Sequence, residues 1–136
     1  MNMNKNYKFI DLFAGCGGLS LGAARAGFIG KLAIEYQENA FNTLQYNLIN
    51  SKRHEIRSKS NVLNFNWPED IEQKNYDINT FIREHGEYLK GLRGEIDLIV
   101  GGPPCQGFSN AGKRKEKDPR NQLYKSYLSF VKLVEP

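Results

Sequence analysis

With 136 residues, 40% of them apolar and 25% charged, the chain has the size and composition of one globular domain, not of a repeat array or a low-complexity segment. Its formal net charge of +4 suits an anionic partner without identifying one. Cys16 and Cys105, with His54 and His85 at no ligand spacing, argue against a disulfide scaffold and a metal centre, and no run approaches the roughly 18 apolar residues of a membrane span.

In chain order, "YKFIDLF" (7–13) is aromatic and β-branched, as expected of a strand. Lys5, Lys8 and the apolar patch after them imitate an export leader. Asp11 interrupts that patch, however, and Phe9–Ala14 is shorter than the roughly 7–15 residues of a leader's apolar region. The chain is therefore expected to be cytoplasmic with reduced thiols. "AGCGGLSLGAARAGF" passes through a glycine-rich turn into a helix, with Leu19, Ala23 and Ala26 on one face and Gly27 at its end. "KLAIEY" (31–36) predicts a second strand. "QENAFNTLQYNLIN" predicts a helix through Ala40, Leu44 and Leu48.

"SNVLNF" (60–65) predicts a third strand, and "WPED" a turn. Ile78, Phe81, Ile82, Leu89 and Leu92 recur at helical period between 77 and 92. "IDLIVGG" (96–102) is an uninterrupted apolar run of the kind found in buried parallel sheets. The last segment, "NQLYKSYLSFVKLVEP", places Leu123, Tyr127, Phe130 and Val134 on one helical face. The order is β-α-β-α-β-α-β-α, which calls for a doubly wound, Rossmann-like parallel α/β sheet of about four strands with flanking helices. Ligands of such sheets lie at the carboxyl ends of the strands, where both glycine-rich loops of this chain fall.

The first loop carries Gly15, Gly17 and Gly18, which permit a tight turn and close approach of a ligand to backbone N–H groups. Ser20 stands where a dinucleotide fingerprint needs its third glycine, which disfavours a nicotinamide oxidoreductase. Glu35, at the end of the second strand, could accept hydrogen bonds from both ribose hydroxyls of an adenosine-containing ligand; taken by itself it reads as a solvated acid at a helix start. In the second loop, "GGPPCQGFSN" (101–110), Pro103 and Pro104 restrict the backbone before Cys105. A thiolate is a strong nucleophile near neutral pH, whereas a lone cysteine after a strand is more often a small core residue.

"FIDLFAGCGGLSLG" and "GGPPCQGFSNAGKR" together resemble the first and fourth signature motifs of the DNA (cytosine-5) methyltransferases, in that family's order. The resemblance runs from about Phe9 to the C-terminus, with residues 66–94 expected as a variable insertion. It implies the S-adenosylmethionine-dependent methyltransferase fold and that cofactor, with no metal. Its cofactor contacts match Phe13, Gly15, Gly17, Glu35, Pro104 and Leu123 here. Asn61 stands where the family has an aspartate for the adenine amino group, and its side-chain oxygen can still accept that bond.

Cys105 matches the family's nucleophile toward cytosine C6, and Gln106 and Ser109 match residues that touch DNA. The basic "GKRKEK" stretch, with Lys113 and Arg114, reads equally as a phosphate-binding patch or as a solvated charge run. The expected partner is double-stranded DNA with a flipped cytosine, in a bacterial restriction–modification system. The resemblance also leads one to expect an acid-bearing strand and a target-recognition domain after Pro136. The chain is thus expected to be the N-terminal part of a catalytic domain, inactive without its C-terminal half or a second subunit. The alternatives are the family's tRNA-methylating branch, a non-catalytic cofactor- or DNA-binding remnant and, more distantly, the nicotinamide oxidoreductase.

Overall fold

The computed structural model describes residues 6–50, 64–104 and 122–136. Three parallel strands form one sheet in the order β2-β1-β3, from β1 (Lys8–Leu12), β2 (Ile29–Ile34) and β3 (Leu98–Gly101). The helices are α1 (Gly18–Arg25), α2 (Glu38–Leu44), α3 (Ile78–Gly91) and α4 (Leu123–Val134). Beyond β2, Phe65 makes a single parallel bridge to Gly30, with Gly30 N–H donating to the Asn64 carbonyl and Asn66 N–H to the Gly30 carbonyl. That bridge stands where the expected third strand would run; residues 60–63 lie outside the described residues. The spatial order is that of one half of a doubly wound sheet.

The pleat divides the core in two. Ile10, Leu12, Leu32 and Ile34 share one cluster with Ile78, Phe81 and Leu89 of α3 and Phe130 and Val134 of α4. On the other face, Ala33 packs with Ala14, Leu44 and Leu48, and Leu21 of α1 leans on them. Residues 66–94, expected as a variable insertion, add Ile71, Tyr76 and Leu92 to the larger cluster as well. Asp77 caps α3 by accepting the Thr80 N–H at 2.9 Å.

Three details depart from expectation. β2 begins at Ile29 and not at Lys31, because Ile29 N–H already pairs with the Tyr7 carbonyl at 2.7 Å. It ends at Ile34, which leaves Glu35 just past the ladder. The buried face of α1 is not Leu19, Ala23 and Ala26: Leu19 is 54% exposed, and Ser20 is the fully buried residue. A hydrogen bond from Ser20 to the strand below fixes that rotation against the apolar pattern. Finally, α2 widens into a π-turn over Gln45–Ile49, where Asn50 N–H reaches the Gln45 carbonyl.

Gly27 ends α1 as expected. It has φ +92, and the Phe28→Ala23 and Gly27→Ala24 backbone bonds form a Schellman motif.

Candidate cofactor-binding site

The site is built where β1, β2 and β3 end side by side, with Leu12 paired to Ile34 on one flank and to Gly101 on the other. After Leu12 the backbone turns through three left-handed residues, Phe13 (φ 57), Gly15 (φ 57) and Gly17 (φ 94). Phe13 is not glycine, and a positive φ in an aromatic residue is strained. Its ring is held by the larger core cluster, which offsets that strain. Gly17 sits under α2: a Cβ there would lie 2.8 Å from Leu48 Cδ1 and 3.2 Å from Leu44 Cγ. Gly15 by contrast faces open space, with nothing within 4 Å of an added Cβ. Backbone without a side chain beside open space lets a ligand approach the loop closely.

Glu35 ties the first glycine loop to the turn that follows β2. Its Oε2 accepts the Gly15 N–H at 2.8 Å and its Oε1 accepts the Gln37 N–H at 2.7 Å, while its own carbonyl accepts the Tyr76 N–H at 2.8 Å. Each carboxylate oxygen keeps a lone pair for a ribose hydroxyl. The Glu35→Gln variant should be far from conservative, because one of these N–H groups would then meet an NH2 group. We expect it to lower fold stability by about 1–2 kcal/mol and adenosyl-ligand affinity by about 10-fold or more, read by urea unfolding and calorimetry. Wild-type values for both would contradict the clasp.

The structure thus brings Phe13, Gly15, Gly17 and Glu35 together directly. Gly101 presses on Leu12, so the loop that carries Pro104 runs beside the first glycine loop. Leu123, at the start of α4, packs on the same core cluster as Phe13. Asn61, Cys105, Gln106, Ser109, Lys113 and Arg114 lie outside the described residues. Among the described residues, no group of three or more His, Cys, Asp and Glu side chains could hold a metal, and no helix is long and apolar enough to cross a membrane.

Asp11 was legible only as a break in an apolar patch, yet it is part of this site. It is fully buried beneath α1, and its Oδ2 accepts both the Ser20 N–H at 3.0 Å and the Ser20 hydroxyl at 2.7 Å. Its Oδ1 is buried and has no hydrogen-bond partner among the described residues. Burial pushes its carboxyl up to about 6; the two Ser20 bonds pull it down, and the charge of Glu35 adds to the rise. A charged residue inside an otherwise apolar strand, with a serine entering the next helix, is the signal that could have found it. Tyr36, next to Glu35, is a second residue not foreseen. It stands 66% exposed beside the clasp, with its carbonyl held by Asn75 Nδ2 at 2.8 Å.

The chain is similar to known proteins. The C-5 cytosine-specific DNA methylase family matches residues 7–136. The type II methyltransferase M.DdeI of Desulfomicrobium norvegicum is 39% identical over 127 residues, which are 93% of this chain and 25% of that protein. M.HgiGI, a type II methyltransferase of Herpetosiphon aurantiacus, is 36% identical over 95% of this chain and 83% of its own length. A solved prophage-encoded E. coli protein, described as a DNA modification methyltransferase, superposes with a TM-score of 0.61 at 36% identity; the match covers 96% of this chain and 30% of that one. The chain therefore spans about a quarter of M.DdeI and under a third of the solved protein.

Proposed function

Because the chain belongs to the C-5 cytosine-specific DNA methylase family, we propose that it provides the cofactor-binding and nucleophile loops of an enzyme that methylates C5 of cytosine in duplex DNA, within a type II restriction–modification system. The observation that carries this reading is the Glu35 clasp on an open glycine loop, beside the loop that leads to Cys105. S-Adenosylmethionine, when bound there, supplies an electrophilic methyl group. Glu35 would hold its ribose, Phe13, Pro104 and Leu123 would wall the adenosyl group, and Asn61 would accept the adenine amino group. Residues 1–136 act in this reading as one part of the catalytic domain, with 66–94 the segment whose length varies between relatives.

The Cys105 thiolate adds to cytosine C6, and the electron pair of the C5–C6 bond becomes available at C5. C5 would then take the methyl carbon as the methyl–sulfur bond breaks, that bond's electron pair leaving on sulfur as the thioether. Removal of the C5 proton and expulsion of the thiolate restore the aromatic ring and the free enzyme. The base must leave the helix stack for the thiolate to reach C6. Gln106 and Ser109 would touch the DNA near it, and Lys113 and Arg114 its phosphates.

Among the described residues β3 pairs only with β1, so its other edge is open to a further strand. A C-terminal half or a second subunit would dock there.

The test fuses these 136 residues to the C-terminal remainder of a type II relative and supplies duplex DNA with labelled S-adenosylmethionine. After digestion the label should appear in 5-methylcytosine. Label on an exocyclic nitrogen of adenine or cytosine would overturn the assignment.

A further inference from the structure

A glycine loop that leads into a helix N-terminus normally attracts anions, because the first N–H groups of the helix are unpaired and its dipole is positive there. In this chain the arrangement is altered from below. Asp11 projects from β1 under α1 and takes the third N–H of the helix, that of Ser20, as well as the Ser20 hydroxyl. It is fully buried, and its second oxygen has no partner among the described residues. An ionised carboxylate in that position opposes the dipole directly.

We propose that Asp11 makes the glycine loop selective for a cationic adenosyl ligand, by cancelling the anion-attracting end of α1 with a buried negative charge. This rests on the adenosyl-ligand reading above and deepens it. Asp11 touches no ligand itself; it acts through the field at the loop. A sulfonium ligand gains from that field, its thioether product gains less, and a nucleoside diphosphate is disfavoured. The loop thereby distinguishes methyl donor from spent donor by charge, although the two differ by a single methyl group.

The titration of Asp11 gives the inference a second handle. Its carboxyl is pushed up to about 6, first by burial, with the charge of Glu35 at the end of β2 adding to the rise. From α4, Tyr127 is also raised, by burial first and then by the charge of Asp11. The folded-state value lies above the unfolded one. The stability linked to this proton is therefore fully present below about pH 4 and is lost as the pH rises through about 6. At neutral pH the ionised carboxylate destabilises the fold, as expected of a group kept for a role other than folding.

The experiment measures binding of S-adenosylmethionine, S-adenosylhomocysteine and ADP to the 136-residue chain and to Asp11→Asn by calorimetry at pH 7. The variant should lose about 5- to 20-fold in affinity for the sulfonium and about 2-fold or less for the thioether, and ADP should bind no more weakly than to wild type. Lowering the pH from 7 to 5 should shift the wild-type sulfonium-to-thioether ratio in the same direction and leave the variant's ratio flat, which also serves if Asp11→Asn folds poorly. Over that pH range the melting temperature of wild type should rise relative to the variant. An unchanged ratio in both arms overturns this proposal alone. Failure of wild type to bind any adenosyl ligand overturns the underlying site reading, and this proposal with it.

Discussion

Cys105→Ser in the fused enzyme should slow methyl transfer to cytosine by about 10³-fold or more, while S-adenosylmethionine affinity stays within about 2-fold of wild type. Cytosine C5 in the intact ring is a poor nucleophile, because the ring draws electron density away from it. Addition at C6 by a thiolate reverses that, and a serine hydroxyl at neutral pH has almost no alkoxide to offer in its place. In the proposed function the cofactor is held by the Glu35 clasp and the open Gly15 backbone, neither of which the substitution touches. The two readouts should therefore separate. A serine enzyme with a tenth of wild-type activity would contradict the covalent route, and a matching loss of cofactor affinity would point to collapse of the loop.

Gly101→Ala should be the most damaging single methyl group that can be added to the described fold. A Cβ at Gly101 would lie 2.2 Å from the Leu12 carbonyl oxygen and 3.0 Å from its carbon. Those atoms belong to the ladder that pairs Leu12 with Gly101, so neither side can yield without opening the sheet beneath both loops. We expect a loss of about 2–4 kcal/mol, a large share of the roughly 5–15 kcal/mol by which domains are stable. Gly22, in the middle of α1, is the control: nothing lies within 4 Å of an added Cβ. Gly22→Ala should stabilise by about 0.5–1 kcal/mol through helix propensity. Urea unfolding midpoints of the two variants should move in opposite directions, and equal midpoints would refute the close approach.

The alternation of strands and helices was legible because β1 and β3 are apolar runs and α3 and α4 repeat their apolar residues at helical period. The glycines and Glu35 were legible because their chemistry is local. Four features were not, and each involves a tertiary contact. The rotation of α1 is set by Asp11 and not by its own apolar residues, so Leu19 faces outward. The start of β2 is set by Tyr7, which lies just before the neighbouring strand β1. Asp11 looked like an interruption because hydropathy records the charge and not the serine nine positions later. The double acceptor role of Glu35 was equally hidden, since sequence shows a carboxylate but not which N–H groups surround it.

The π-turn at the end of α2 makes helix pitch a variable of the site. Five residues there complete a turn that ordinarily takes fewer, and Leu48 within it lies against Gly17. Inserting one more residue in ordinary helical geometry between Gln45 and Asn47 would swing Leu48 about 100° around the axis, taking its side chain away from the loop. Insertions should therefore be poorly tolerated at this turn, although nothing in its side chains is reactive. A stretch with no chemistry of its own can still be held to a fixed residue count by the loop it supports.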